Sequence, residues 1–169
     1  MRRTLLLVAL VVAGAIAVLV TEPPLRRTGQ ELARGPRVFR TSPGGIRGIE
    51  LTLGGRRLVA ERTHEGWSSG GAPVAPSTRE ALHELAAYLA GLRAVDAFRT
   101  TSFAGFGLDP PNGLLVLATP RGPQRLALGS LNAAGSTLYA RRDDEQRVLQ
   151  IGVYFASVLE RMLRPAPGA

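Results

Sequence analysis

The chain has 169 residues and a formal charge of +8, from 21 basic and 13 acidic side chains, and every basic residue is arginine, with no lysine and no cysteine. Those two absences exclude Schiff-base and phosphate-loop lysine chemistry, thiol nucleophiles, iron–sulfur clusters, thiolate zinc sites, disulfides and a lipidated N-terminal cysteine. An apolar fraction of 45% with 20% charged residues is that of one globular domain, and 5% aromatic content leaves its core to Leu, Val, Ile and Ala.

After Arg2 and Arg3 the chain runs from Leu5 to Val20 without a polar side chain. As a helix that run is about 24 Å long at 1.5 Å per residue, close to the roughly 30 Å hydrocarbon core. It reads as a signal anchor or a cleaved secretory signal. The small residues of Ala13-Gly14-Ala15 and Ala15-Ile16-Ala17 lie inside the apolar run, whereas a cleavage site follows one, so the uncleaved anchor is expected. Arg2 and Arg3 abut the run directly, and long domains are translocated largely regardless of arginines that follow, here Arg26, Arg27 and Arg34. The expected topology is therefore single-pass, with the N-terminus inside and the bulk of the chain extracytoplasmic.

Residues 1–21 form the expected transmembrane helix, and 22–36, with three prolines and no sustained apolar period, a flexible tether. Residues 37–164 form a single α+β domain, and 165–169 a disordered tail. Within the domain, Ile49, Leu51 and Leu53 alternate with Glu50 and Thr52, and Leu58 and Ala60 alternate after Gly54-Gly55. That is a β-hairpin with the two positive-φ positions of a tight turn. A short strand is expected around Trp67, then a Gly/Pro-rich loop from Ser69 to Pro76. Ser77-Thr78-Arg79-Glu80 fits a capping box, and Leu82, Leu85, Ala86, Leu89 and Leu92 follow at helical spacing.

A short segment from Val95 to Thr100 leads to Phe103–Pro111, whose prolines forbid a helix or a central strand. Leu114 to Ala118 is an unbroken apolar run and reads as a central strand. Gln124–Leu128, Thr137–Arg142 and Arg147–Ile151 are expected strands, with a turn at Asp143-Asp144-Glu145. Val153–Leu163 is expected to close the domain as a helix with a wide apolar surface. The order predicts a mostly antiparallel sheet of about six to seven strands with two packed helices, preceded by the one transmembrane helix.

Chemistry-bearing motifs are sparse. His64 and His83 lack metal-ligand spacing, His83 falls on the polar face of its helix, and no Gly-x-Ser-x-Gly elbow offers a serine nucleophile. Asp143, Asp144 and Glu145 lack the spaced ligands of an ion loop and read as a solvated turn. Gly105-Phe106-Gly107 shares letters with a dinucleotide fingerprint, but Pro110 stands where its third glycine belongs and a strand follows. No cofactor, metal or catalytic residue is expected. The weaker enzymatic reading is an envelope hydrolase using His64, Glu65 and Asp109.

Residues 1–40 carry seven arginines against two glutamates, while residues 41–169 carry 14 against 11 acids. The charge thus gathers beside the expected anchor, where Arg2, Arg3, Arg26 and Arg27 would attract anionic headgroups, each contributing about 1 kcal/mol. This accounts for the charge without nucleic acid. Arg56-Arg57 and Arg141-Arg142 suit an anionic partner or protection of exposed strand edges. Trp67 reads either as an aromatic core anchor or, with Tyr139, Arg141 and Arg142, as a contact for a partner.

The chain resembles the bacterial family catalogued as domain of unknown function 4340. The resemblance rests on the N-terminal apolar run, Arg37-Val38-Phe39-Arg40, Ile46-Arg47-Gly48-Ile49-Glu50-Leu51, Gly66-Trp67, the helix after it, Phe106-Gly107-Leu108-Asp109-Pro110-Pro111, and Leu138-Tyr139-Ala140-Arg141-Arg142. It implies a membrane-anchored protein, in some cases an accessory of an ABC-type transport system, and carries over no catalytic residues. The expectation is a non-enzymatic module in the bacterial inner membrane with its domain extracytoplasmic. Its expected partners are membrane lipid and an envelope or transporter protein. The alternative is an adaptor for anionic lipid or cell-wall polymer.

Overall fold

The computed structural model describes residues 35–143 and 145–163. The expected anchor, most of the tether, Arg2, Arg3, Arg26, Arg27 and the tail lie outside the described residues. Among the described residues no helix is long and apolar enough to cross a membrane.

Among the described residues nine strands, rather than six to seven, form one open antiparallel sheet with two α-helices. They are β1 (Gly48–Leu53), β2 (Arg56–Thr63), β3 (Gly66–Ser69), β4 (Ala72–Pro73), β5 (Asp96–Arg99), β6 (Gly113–Ala118), β7 (Gln124–Leu131), β8 (Thr137–Arg142) and β9 (Arg147–Gly152). The helices are α1 (Pro76–Gly91) and α2 (Tyr154–Met162). The spatial order is β4-β3-β2-β1-β6-β7-β8-β9-β5, which places β6 at the centre, as its unbroken apolar run predicts.

Two meanders make up this order. From the centre, β1 to β4 step outward to one edge, and β6 to β9 step outward to the other. α1 then carries the chain from β4 to β5 at the far edge, and the segment Thr100–Asn112 brings it back to β6. The two connections cover different faces of the sheet. Leu82, Leu85, Ala86, Leu89 and Ala90 of α1 are buried in one cluster with Ile49, Leu51, Leu115, Leu117, Leu126 and Leu149. On the second face, Leu108 is buried against Ala127 and Val148, with Phe98, Phe103, Phe106 and Tyr139 packed around them.

The β1–β2 hairpin turns on Gly54 (φ 57°) and Gly55 (φ 75°), as its sequence predicts. The Gly/Pro-rich loop instead folds back as the short strand β4. The capping box at Ser77 does not form. Pro76, already fixed near helical φ and lacking an N–H, occupies the first turn, so Ala75 takes the cap position without a side-chain bond and Ser77 falls inside the helix. In α2 only Phe155 and Leu159 are fully buried, and Val153, expected on its apolar surface, is 39% exposed.

The domain also begins before residue 37. Gly35 donates its N–H to the Ala94 carbonyl (3.0 Å), Ala94 to that of Pro36 (3.0 Å), and Val38 to that of Leu92 (2.9 Å). Gly35–Val38 therefore runs alongside the exit of α1 and belongs to the domain, not to a free tether.

Candidate partner-binding surface

Backbone register sorts the side chains by face, because directly paired residues point the same way. Val59 pairs with Glu50, Glu50 with Val116, and Val116 with Arg125. One step along the strands, Arg57 pairs with Thr52, Thr52 with Leu114, Leu114 with Ala127, and Ala127 with Arg141. These two rows lie on the second face, opposite the helices. Val59, Leu114 and Val116 are half-buried there, and Thr52, Ala118 and Arg125 are exposed. Two ion pairs interrupt the apolar residues, Arg57 to Glu50 at 2.9 Å and Arg125 to Asp143 at 4.0 Å.

Beside these rows stands an aromatic patch that the Thr100–Asn112 connection builds. Gly107 adopts left-handed φ (66°) and Leu108 drops into the sheet. A Cβ on Gly129 would run into the Phe106 carbonyl and come within 3.0 Å of the Leu108 side chain. Only glycine lets the connection lie this close, and the β7–β8 register shifts at that point. Asn112 fastens the end of the connection by donating its side-chain amide N–H to the Ser130 hydroxyl at 3.1 Å. Phe106 then meets Tyr139 edge-on at 4.9 Å and Phe98 at 5.4 Å, while the Arg141 guanidinium lies 4.2 Å over Phe103.

Of the four residues expected to contact a partner, the structure keeps Tyr139 and Arg141 together on this face and separates the other two. Trp67 is 1% exposed, inside the core, with its indole N–H unpartnered and His83 edge-on at 6.2 Å. Arg142, next along β8, points to the helix side and is 8% exposed. There Glu145 meets Arg147 at 3.0 Å, Arg40 at 3.4 Å and Arg142 at 3.6 Å. Glu145 is thus a half-buried hub and not one arm of a solvated acidic turn. Neither arginine pair is simple edge protection: β8 lies between β7 and β9, and Arg57 is committed to Glu50.

The enzymatic constellation is not assembled. Gly48 pairs with both Glu61 and Ala118, whereas Leu53 pairs with both Arg56 and Gly113. His64 and Glu65 lie beyond the first end of the sheet and Asp109 near the second, about 17 Å or more apart at roughly 3.3 Å per residue. His64 and Glu65 are 3.5 Å apart and solvated, with side chains 90% and 70% exposed. Among the described residues no group of three or more His, Asp or Glu is placed to hold a metal.

The sequence model described as "Domain of unknown function (DUF4340)" matches residues 67–164, more than half of the chain. The chain belongs to the DUF4340 family. No curated protein and no solved structure matches it. The DUF4340 match begins at Trp67 in β3 and runs through α2, so it includes the whole Thr100–Asn112 connection and the aromatic patch. The β1–β2 hairpin, with Glu50, Arg57 and Val59, lies outside the matched residues.

Sequence reading missed Phe98, Phe103 and Phe106 as neighbours of Tyr139. A signal for them existed. Phe98 alternates with Ala97 and Arg99, and Phe103 and Phe106 flank a short segment that could not be a strand, so the three aromatics needed a surface elsewhere. The exposed side of β6 was also legible in part, because an unbroken apolar run requires apolar cover on both faces.

Proposed function

We propose that this DUF4340 protein is a non-enzymatic, membrane-anchored, extracytoplasmic module that binds another envelope protein, such as a transporter subunit, through the second face of its sheet. The supporting observation is the row Val59, Glu50, Val116, Arg125 beside the Phe106–Tyr139–Arg141 patch. Half-buried apolar residues, aromatics and arginines share one surface there, on which neither α1 nor α2 packs. Aromatics, arginine and apolar side chains mixed in this way are the composition of interface centres. The anchoring half of the reading rests on the apolar run from Leu5 to Val20 and the flanking Arg2 and Arg3.

A tagged copy expressed at its native level and recovered from solubilised membranes should bring an envelope protein with it. Val116→Glu and Leu114→Arg should abolish that recovery while circular dichroism of the purified variant stays unchanged. Recovery of the protein alone would refute the reading.

A further inference from the structure

A groove of about 820 Å³ opens on the helix side of the domain, between the entering segment, α1 and the β6–β7 turn. Its walls carry Arg37, Arg40 and Arg121, and among the described residues no acidic one lines it. It exists because α1 turns only small residues toward it. Ala87, Ala90 and Gly91 of α1 line it together with Gly45 of the entering segment. The volume is that of a site for a small molecule or a headgroup.

All three arginines are positioned through their backbone, and Arg40 also meets the Glu145 carboxylate. Arg37 bridges to Arg93 along the ladder beside the exit of α1. Arg40 is clamped to β7 through Gln124, whose side-chain oxygen accepts the Arg40 N–H at 2.8 Å and whose amide donates back to the Arg40 carbonyl at 3.3 Å. Arg121 sits in the β6–β7 turn, where its N–H donates to the Thr119 hydroxyl at 3.3 Å. The side chains of Arg37 and Arg121 are exposed, and among the described residues neither meets a carboxylate. Arg40 touches Glu145 at 3.4 Å yet remains 68% exposed. Against this positive charge stands the carbonyl end of α1, equivalent to about half a negative charge. Three full charges outweigh it.

From this we infer that the groove is a binding site for the phosphate group of a phosphate ester, carried either by an anionic phospholipid headgroup or by a soluble metabolite. Guanidinium groups present paired N–H donors that match phosphate oxygens. The oxygens of a phosphate group are arranged tetrahedrally and can meet guanidinium groups from different walls, whereas the two oxygens of a carboxylate share one plane. The site is distinct from the sheet face assigned to a protein partner, so each can fail without the other.

Calorimetric titration of the full-length protein in neutral detergent tests this, with glycerol phosphate, short-chain phosphatidylglycerol, short-chain phosphatidylcholine and succinate as probes. Saturable binding of glycerol phosphate and phosphatidylglycerol alike would assign the phosphate group itself; binding of phosphatidylglycerol alone would assign the lipid headgroup as the source. In either case R37Q/R121Q should weaken binding at least tenfold, while R57Q, on the other face, leaves it unchanged. Retained circular dichroism would show that the first variant still folds. Affinity should also fall as salt rises. Absence of saturable binding to either phosphate ester would overturn the inference. So would succinate or phosphatidylcholine binding as tightly, or unchanged binding by R37Q/R121Q.

Discussion

Replacing Gly129 by alanine probes how the Thr100–Asn112 connection is held on the second face. A Cβ at this position meets the Phe106 carbonyl oxygen well inside van der Waals contact, with the Leu108 Cγ at 3.0 Å and the Tyr139 carbonyl oxygen at 3.1 Å. Two of these three atoms are backbone, so no rotamer change relieves the clash and the connection must lift. Lifting exposes Leu108, now 1% exposed, and opens the Phe106–Tyr139 contact. Losing the burial of a leucine costs about 1.5–3 kcal/mol, and forcing a methyl into a closed space about 1–3 kcal/mol. The two are alternatives in part, since relaxation trades one for the other, and we expect a net loss of about 2–4 kcal/mol. Urea denaturation followed by circular dichroism measures it, with Gly105→Ala as the control. Gly105 has nothing within 4 Å of its added Cβ, and this change should cost less than about 0.5 kcal/mol. A Gly129→Ala protein as stable as the parent would refute the close packing of the connection on the sheet.

Trp67→Ala should destabilise the domain by about 3–5 kcal/mol in the same assay, whereas Trp67→Phe should cost about 1 kcal/mol or less because the indole N–H has no partner to lose. Burial first, and the neighbouring Tyr154 second, hold the Tyr88 phenol well above its usual range. Because the folded state keeps that proton more tightly than the unfolded chain does, the stabilisation is complete below about pH 10 and is lost as pH rises beyond it. Absorbance titration should show one late-ionising tyrosine, which Tyr88→Phe removes; an unchanged titration curve would contradict the placement of Tyr88. Glu145→Gln should cost about 1–2 kcal/mol by thermal or chemical denaturation. The loss stays below that of a fully buried ion pair because Arg40 and Arg147 are 68% and 41% exposed.

The elements that the sequence predicted well are those decided within a few residues. Gly54-Gly55 between two alternating runs specifies a tight hairpin, and Leu82, Leu85, Ala86 and Leu89 specify the buried side of α1, because both signals are local periodicities. Local competition explains one error. Ser77 and Glu80 have the spacing of a capping box, but Pro76 beside them starts the helix first. Long-range closure explains the others. The acids at 143–145 resemble a solvated turn until Arg40, 105 residues away in sequence, reaches Glu145. Likewise β5 has too few residues to announce itself and becomes a strand by pairing with β9. Within the candidate surface, Tyr139 and Arg141 were legible as residues but not as a pair with Phe103 and Phe106. That proximity depends on Gly129 admitting the Thr100–Asn112 connection, and no short window of sequence contains both.

We propose that the second face of the sheet binds an envelope protein. The direct measurement is quantitative recovery of partner from solubilised membranes with the tagged parent and with Val116→Glu, both at native expression. One envelope protein is expected in stoichiometric amount with the parent, and its loss with a Val116→Glu variant whose urea midpoint is unchanged. The same partner held equally by both proteins, or no partner with either, would contradict it.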